Sequence, residues 1–284
     1  MKDNQKEILS RVLTTGANGM VGGYVDFGTR LDRRSLDVSD LNETMSVIKR
    51  YMPKSIIHLA AETNVDRCDR DPQHAYLINS IGTYNVALAA KEVGAKMIYI
   101  STSAVFDGSK KEPYVETDKP NPLGYYGRSK FLGEVIVKEI LDNYIIGRIA
   151  WVFGGGPEKD QKFVARIIEQ TKKPEIDVVS GKYGSPTYGK DLVSAVKKMI
   201  LENRSGVFHM SNTGAPSRVD VAREIVSITN SDTIVTEVDS SFFDNMYSEK
   251  RLDNESMISG VDIMRSWQGA LKEYIEKEWS DYIK

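Results

Sequence analysis

The sequence has few of the features that mark secreted or membrane-spanning proteins. Cys68 is the only cysteine among 284 residues, so an intramolecular disulfide is excluded, and this usage is typical of a reducing compartment. No run approaches the roughly 18 apolar residues of a membrane span. The N-terminal residues lack the apolar stretch and cleavage site of a signal peptide. We therefore expect a cytoplasmic protein with no membrane partner.

The sequence also has a small net charge and few histidines. The 38 Lys and Arg residues nearly balance the 40 Asp and Glu residues, which leaves a net charge of −2. This balance provides no basic field for nucleic acid, so we expect no nucleic-acid partner. The three histidines, His58, His74 and His209, are scattered and lack the spacing of metal ligands. We therefore predict no metal site.

Short apolar runs alternate with longer amphipathic stretches, which predicts strands followed by helices. Strands are predicted at residues 11–15, 55–60, 96–101, 144–150 and 207–211, and helices at residues 40–51, 74–93 and 126–141. The strands are rich in Ile and lack clean alternation, as parallel strands covered on both faces do. This pattern indicates an α/β fold with a Rossmann-type doubly wound parallel sheet and a smaller C-terminal substrate lobe.

The pattern loosens after Trp151, where three glycines and Pro157 interrupt the chain. We predict an NAD(P)-binding Rossmann domain over residues 1–150. Residues 151–284 are predicted to form mainly a substrate-binding lobe, with some segments returning to the Rossmann domain.

Three glycines follow the first predicted strand at a regular spacing. Gly16, Gly19 and Gly22 lie in TTGANGMVGG, a G-x-x-G-x-x-G pattern. Such glycines permit a tight turn, let the backbone approach a pyrophosphate and allow close helix–strand packing. Phosphate would rest on the free N–H groups and the positive end of the following helix. The pattern predicts dinucleotide binding, with an ordinary strand-to-helix turn as the alternative.

The next segment bears on which dinucleotide binds. Only a short stretch separates the glycine turn from LDRRSLDVSD, so either the first crossover helix is curtailed or the second strand begins early. Asp32 is suited to a ribose hydroxyl, as in NAD sites, whereas Arg33 and Arg34 are suited to the 2′-phosphate of NADP. Asp37 and Val38 have the character of an adenine site. We expect NADPH, and NADH remains an alternative.

Tyr126 and Lys130 lie four residues apart in a predicted helix, and Thr102 ends the strand before it. Residues at i and i+4 share one helix face, so the Lys130 ammonium is expected near the phenol. A nearby cation lowers a tyrosine pKa toward the working pH. Such a phenol can exchange a proton with a carbonyl or alcohol oxygen while a hydride moves at the attached carbon. The alternative is a solvated Tyr and Lys pair.

In these motifs the chain resembles the extended short-chain dehydrogenase/reductases and, among them, the dTDP-4-dehydrorhamnose reductases. The segments that carry the resemblance are TGANGMVG, LDVSD, HLAAETNVDRCDRDP, YISTSAVFDG, PLGYYGRSK, RIAWVFGGG, GSPTYGKDL, RLDN and SWQGALKEYI. The resemblance implies reduction, with NAD(P)H, of the 4-keto group of a nucleotide-linked 4-keto-6-deoxy sugar. It places this reaction in deoxysugar and cell-surface polysaccharide biosynthesis, and it implies a homodimer.

The resemblance also implies roles for individual residues. Tyr126 would protonate the new alkoxide, Lys130 would hold the nicotinamide ribose, and Thr102 would bond the carbonyl. Asn79 would support the lysine. The implied cofactor-binding residues are Gly16, Asn18, Gly19, Met20, Val21, Gly22, Asp32, Arg33, Arg34, Asp37, Val38, Leu59, Ala60, Ala61, Thr63, Ile100, Tyr126 and Lys130. The implied sugar-binding residues are Thr63, Val65, Thr102, Ser103, Trp151 and Phe163.

The chain departs from the family pattern in the sugar pocket. Ser103 and Ala104 stand where the family commonly has an Asp-Tyr pair, and Lys162 stands where it has Asn. These differences predict a roomier, less acidic pocket. Three alternatives stay open: a nucleotide-sugar epimerase that keeps NAD tightly bound, a combined 3,5-epimerase/4-reductase, and a non-catalytic NADP-binding regulatory subunit like the β subunit of methionine adenosyltransferase.

Overall fold

The computed structural model describes residues 3–239, 241–242, 252–258, 260 and 264–282. The strands in chain order are β1 (Val12–Thr15), β2 (Thr29–Leu31), β3 (Ser55–His58), β4 (Lys96–Thr102), β5 (Tyr144–Ile149), β6 (Val152–Phe153), β7 (Glu175–Val179), β8 (Tyr183–Gly184), β9 (Thr187–Tyr188), β10 (Gly206–His209), β11 (Ile234–Val238) and β12 (Asn254–Glu255). Six of them form a parallel sheet in the order β10-β5-β4-β3-β1-β2.

The helices are, in chain order, α1 (Asp3–Ser10), α2 (Leu41–Tyr51), α3 (Val65–Arg70), α4 (Pro72–Tyr76), α5 (Gly82–Val93), α6 (Tyr125–Ile140), α7 (Gly156–Lys159), α8 (Phe163–Gln170), α9 (Gly189–Leu201), α10 (Arg218–Ile228) and α11 (Trp267–Glu278). The predicted helix over residues 74–93 is divided in the structure. A π-helical turn, Leu77–Ile81, separates α4 from α5. The predicted helix at residues 126–141 begins and ends one residue earlier as α6.

Apolar side chains cover both faces of the sheet, as the Ile-rich strands predict. All seven residues of β4 are buried. On one face, Ile48 of α2, Val86 of α5 and Val137 of α6 pack in a single cluster. On the other face, Leu192 and other residues of α9 pack against the central strands. The predicted doubly wound α/β fold is therefore confirmed.

The first crossover is short, as the spacing after the glycine turn predicts. A single 3-10 turn, Gly22–Tyr24, precedes β2, so the helix is curtailed and the second strand also begins early. Arg30 braces this connection, because its guanidinium donates to the carbonyl oxygens of Ala17 and Gly22 at 3.3 Å. The order of the strands reverses at β1, which lies between β2 and β3, and ligands bind at such reversals in open α/β sheets.

The C-terminal half contains a second apolar cluster that includes Phe153, Tyr188, Tyr274 and Trp279. Three strand pairs, β6–β9, β7–β11 and β8–β12, accompany it. From the same half, β10 returns to the central sheet beside β5. The division at residue 150 stays a prediction, and one residue of the RLDN segment, Arg251, lies outside the described residues.

A buried ion pair ties α6 to the sheet. The Arg148 guanidinium on β5 donates from Nε and Nη2 to the two Glu134 oxygens at 2.9 and 2.8 Å. Ser101 on β4 donates to the same carboxylate at 2.6 Å. Both charged side chains are almost fully buried, at 0% and 2% exposure. Removing one member of such a pair leaves an uncompensated charge in the core.

We expect Glu134→Ala to lower the free energy of unfolding by about 3–5 kcal/mol, because Arg148 stays buried without a counter-ion. Urea denaturation measures the loss. The double variant Glu134→Leu/Arg148→Met should recover most of it. Glu92→Ala is the control, because the Lys49–Glu92 pair is exposed and should contribute no more than about 1 kcal/mol. Equal losses in the single and double variants would contradict this account.

Candidate active site

The structure brings the predicted catalytic residues together at the carboxyl end of β4. Tyr126 and Lys130 lie one turn apart on α6, and Thr102 is the last residue of β4. The Thr102 side chain lies close enough to the Tyr126 phenol to lower its pKa. The Thr102 Oγ1 also accepts from the backbone N–H of Ala104 at 3.1 Å, which caps the turn after the strand. The hydroxyl and the phenol can therefore bond one substrate oxygen.

Glycine allows α6 to approach the strand this closely. A Cβ added to Gly127 would overlap the carbonyl oxygen of Ala104. Any larger residue would push the first turn of α6, and Tyr126 with it, away from Thr102. At the same end of the helix, Ser129 Oγ donates to the Tyr126 carbonyl at 2.9 Å. The spacing of phenol and threonine thus depends on backbone packing as well as on the side chains.

Burial determines the protonation of the Tyr126–Lys130 pair. It raises the pKa of the phenol to about 12, although the nearby Thr102 side chain lowers it. Burial lowers the pKa of Lys130 to about 7, while Glu134 one turn further along α6 raises it. The expectation of a Tyr126 pKa lowered toward the working pH is therefore wrong in this structure, because burial outweighs the contacts that lower it. The phenol is protonated at neutral pH, which is the state of a proton donor.

Asn79 joins the loop after β3 to the catalytic helix. Its side-chain Oδ1 accepts from the Glu62 backbone N–H at 2.8 Å, and its Nδ2 donates to the Glu62 carbonyl and to Ser129 Oγ, each at 3.0 Å. Ser129 precedes Lys130 on α6. Asn79 therefore contacts the neighbour of the lysine, which suits the supporting role implied by the family. The lysine ammonium itself lies 4.1 Å from the centre of the Tyr99 ring.

A cavity of about 250 Å³ lies where the strand order reverses. Its wall contains many of the predicted cofactor residues, namely Gly16, Asn18, Gly19, Asp32, Arg33, Asp37, Val38, Leu59, Ala60 and Ala61. Gly16 has a φ of 68°, and a Cβ there would lie 2.6 Å from the Ala60 nitrogen. The turn therefore requires glycine and keeps the backbone open to the cavity, which fits the diphosphate of a dinucleotide.

Other predicted cofactor residues lie off this wall. They are Met20, Val21, Gly22, Arg34, Ile100 and Lys130, while Thr63 and Tyr126 line a second cavity. Their roles stay predictions. The predicted helix after the glycines is only one 3-10 turn, so the expectation that a helix dipole holds the phosphate is wrong. Backbone N–H groups and side chains of the cavity wall would hold a diphosphate instead.

Asp32 and Arg33 occupy different situations on this wall. The Asp32 carboxylate accepts from Asn18 Nδ2 and Ser35 Oγ, each at 2.7 Å, and from two backbone N–H groups. The bonds to Ser35 are the largest cause that lowers the pKa of Asp32. Arg33 is exposed beside the same cavity. The Arg33 guanidinium is thus positioned to contact a phosphate, while the Asp32 carboxylate stabilises the turn.

A second cavity, of about 1120 Å³, lies beside Tyr126. Four predicted sugar-binding residues line it, namely Thr63, Val65, Trp151 and Phe163. Cationic side chains also line it, namely Lys159, Lys162, Arg166, Lys173 and Arg218. The Arg218 guanidinium lies over the rings of Trp151 and Phe163, at 5.6 and 5.2 Å from their centres. Aromatic rings beside cations suit a nucleotide with its diphosphate.

The sequence patterns missed Glu255, an acidic residue on the wall of this second cavity. Its carboxylate accepts from Ser103 Oγ and from Trp151 Nε1, each at 2.9 Å. β12 thus supplies a carboxylate next to Ser103, and the expectation of a pocket less acidic than that of the family stays a prediction. Glu255 is 152 residues from Ser103 in the sequence, so no local spacing could have indicated it.

Within the described ranges, no three His, Cys, Asp or Glu side chains are grouped so that they could hold a metal ion. No helix in the same ranges is long and apolar enough to cross a membrane.

Comparison with known proteins agrees with this geometry. The chain is 32% identical to the spore coat polysaccharide biosynthesis protein SpsK of Bacillus subtilis, over 96% of this chain and 99% of that protein. A dTDP-4-dehydrorhamnose reductase of Clostridium acetobutylicum superposes with a TM-score of 0.88 at 36% identity, covering 93% of this chain and 98% of the other.

A dTDP-4-dehydrorhamnose reductase of Bacillus anthracis, solved in complex with NADP, superposes with a TM-score of 0.87 at 35% identity. It covers 94% of this chain and 98% of the other. Residues 10–279 match the family described as the RmlD substrate binding domain. The chain therefore belongs to the RmlD substrate-binding domain family of extended short-chain dehydrogenase/reductases.

Proposed function

We propose that this protein is an NADPH-dependent reductase of the 4-keto group of a nucleotide-linked 4-keto-6-deoxy sugar. The observation that carries the proposal is Tyr126, which lies next to Thr102 and lines a cavity large enough for a nucleotide-sugar. Relatives at 35–36% identity are named dTDP-4-dehydrorhamnose reductases, and one was solved with NADP. The resemblance to SpsK supports a place in cell-surface polysaccharide biosynthesis.

The residues of this chain supply the proton and hold the substrate. A bound nicotinamide dinucleotide would supply the hydride. Thr102 donates a hydrogen bond to the keto oxygen, and the neutral Tyr126 phenol gives that oxygen its proton as the carbonyl is reduced. Lys130 in its protonated form stabilises the phenolate that is left behind. Glu134 raises the pKa of Lys130 and so favours this protonated form.

The open alternatives differ from this reaction in what they consume. An epimerase returns its hydride and keeps NAD bound, so the purified protein would carry NAD and oxidise no NADPH. A regulatory subunit would bind NADP without turnover. The intact Thr102, Tyr126 and Lys130 set favours an enzyme over the regulatory subunit, and the relatives named reductases favour a reductase over an epimerase. A combined 3,5-epimerase/4-reductase would add an exchange of protons beside the keto group to the same NADPH oxidation.

Further features of the protein remain proposals. We infer a homodimer, as the family resemblance implies. Exposed apolar side chains recur along the π-helical turn and α5 and on the neighbouring α6, at Leu77, Ile81, Tyr84, Leu132 and Val135. We also infer a cytoplasmic enzyme, which agrees with the single cysteine being buried and free.

We expect a mass of about twice 31.8 kDa by light scattering. A second copy would cover the apolar side chains on α5 and α6, and removal of such surface from water drives association. Leu132→Glu should shift the protein toward the monomer. A wild-type protein that is monomeric at all accessible concentrations would contradict the homodimer.

We expect Tyr126→Phe to lower kcat by about 10²–10⁴-fold, because it removes the proton donor while the packing of the ring is kept. The affinity for NADPH should stay close to that of the wild type. NADPH oxidation with a panel of nucleotide-linked 4-keto-6-deoxy sugars measures the first, and calorimetry measures the second. Near wild-type turnover in the variant would remove Tyr126 from the mechanism.

We expect Arg33→Ala to weaken NADPH binding by roughly tenfold or more, because a hydrogen bond between charged groups contributes about 1.5–3 kcal/mol. The affinity for NADH should change little. Arg34→Ala is the matched control, since Arg34 lies off the wall of the cavity. Calorimetric titration of each variant with both dinucleotides provides the comparison. Equal effects of the two substitutions on NADPH would contradict a 2′-phosphate contact at Arg33.

A further inference from the structure

Glu255 presents a carboxylate with unused acceptor capacity to the substrate cavity. Oε1 accepts from Ser103 Oγ and Oε2 accepts from Trp151 Nε1, each at 2.9 Å. A carboxylate offers about four lone-pair positions, so each oxygen keeps a position for another donor. Among the described residues, no lysine or arginine forms an ion pair with it. A ligand in the cavity can therefore donate hydrogen bonds to the Glu255 carboxylate.

The backbone around Glu255 is held on both sides. In β12, Glu255 pairs with Gly184 of β8. Asn254 is buried and donates to the Lys110 carbonyl at 2.8 Å, and Ser256 Oγ donates to Asn254 Oδ1 at 2.6 Å. The backbone position of Glu255 is therefore fixed, as a side chain that recognises a substrate requires.

The indole that contacts Glu255 is itself in an unusual conformation. Trp151 has a φ of 41°, in the left-handed region that residues other than glycine rarely adopt. Its ring lies against Gly184, where an added Cβ would overlap the indole. Strained residues of this kind persist where surrounding contacts hold them, and they concentrate at functional sites. The bond from Trp151 Nε1 to Glu255 is one of these contacts.

The loop after β4 provides no acidic group at this place. Ser103 and Ala104 occupy the positions at which the family commonly has Asp and Tyr, and Ser103 donates its hydroxyl proton to Glu255. The carboxylate beside Ser103 thus comes from β12 in this chain. A carboxylate on β12 approaches the sugar from a different direction than a carboxylate on the loop after β4 would.

We propose that Glu255 is the specificity-determining residue of the sugar pocket, where its carboxylate accepts hydrogen bonds from a hydroxyl of the sugar ring and holds the keto carbon against Tyr126 and Thr102. This inference rests on the proposed function. Glu255 is half-buried, and a site built to bond a substrate hydroxyl rejects analogues that lack this hydroxyl. Glu255 therefore selects sugars that carry a hydroxyl on its side of the ring.

Glu255 also acts on the proton donor by its charge. After burial and the Thr102 contact, the negative charges near the phenol, including that of Glu255, raise the pKa of Tyr126. Removal of the Glu255 charge should lower that pKa. A basic limb in the pH profile of kcat that reports the phenol should then move to lower pH in Glu255→Gln. A purely structural role for Glu255 would not move it in this direction.

Binding of the sugar can be separated from binding of the nucleotide. The probes are dTDP and a dTDP-linked 6-deoxyhexose, titrated by calorimetry in the presence of NADP⁺. We expect equal affinity of wild type and Glu255→Gln for dTDP. The extra affinity that the sugar adds should fall by about tenfold to hundredfold in the variant, as expected for a hydrogen bond to a charged group. Glu276→Gln, an exposed change on α11, is the control.

Exchanging the side chains at Ser103 and Glu255 tests whether sugar binding depends on the element that supplies the carboxylate. Ser103→Asp alone places a second carboxylate against Glu255 and should weaken sugar binding. Combined with Glu255→Ser, it restores one acid and one hydroxyl, and we expect at least tenfold recovery over either single variant. This double variant also carries the test if Glu255→Gln does not fold. Additive losses in the double variant would overturn the inference.

Unchanged sugar binding in Glu255→Gln, or an equal loss for dTDP and the dTDP-sugar, would also overturn it. Failure of the proposed function gives a different result. A wild-type protein that binds the dTDP-sugar but oxidises no NADPH with any 4-keto sugar would refute the reductase, while the sugar-dependent loss in the variant would still support recognition by Glu255.

Discussion

The close packing of α6 against β4 is the constraint on which the rest of the active site depends. Gly127 lets the first turn of the helix approach the Ala104 carbonyl, and the Glu134–Arg148 pair fixes the middle of the helix to β5. Between these two contacts along α6, the Tyr99 hydroxyl on β4 donates to the Lys130 carbonyl at 3.1 Å. These contacts determine the distance from Tyr126 to Thr102. The chemistry of the site is therefore a consequence of how a helix and a strand pack.

The same packing explains why the phenol is protonated. Burial removes water from Tyr126 and Lys130 together, and it disfavours the charged form of each. The phenol pKa rises to about 12 while the lysine pKa falls to about 7. An enzyme that reduces a ketone needs an acid in its resting state, so a neutral phenol is the useful form. Glu134 partly offsets the cost of charge on the lysine, which links the ion pair of the fold to the acid of the site.

Local sequence patterns predicted the features that depend on local chemistry. Ile-rich runs indicated buried parallel strands, and the glycine spacing indicated the turn beside the first cavity, because both are determined within about ten residues. The Tyr126–Lys130 spacing likewise placed both residues on one helix. The direction of the Tyr126 pKa shift could not be predicted this way, because burial arises from packing of distant segments. Glu255 was missed for the same reason, since β12 meets Ser103 only through the tertiary fold.

The two cavities differ in how far apart in the sequence their lining residues lie. The first is built almost entirely from segments before residue 80, and its wall is made of a glycine turn and short loops after strands. The second combines Tyr126 with segments from both halves, up to Glu255. With the proposed function, cofactor recognition would use motifs whose residues are close in sequence, whereas sugar recognition would use side chains assembled from far apart. Glu255 on β12 lines the second cavity and not the first, so with the proposed function a substitution there would alter the choice of sugar without contact with the cofactor cavity.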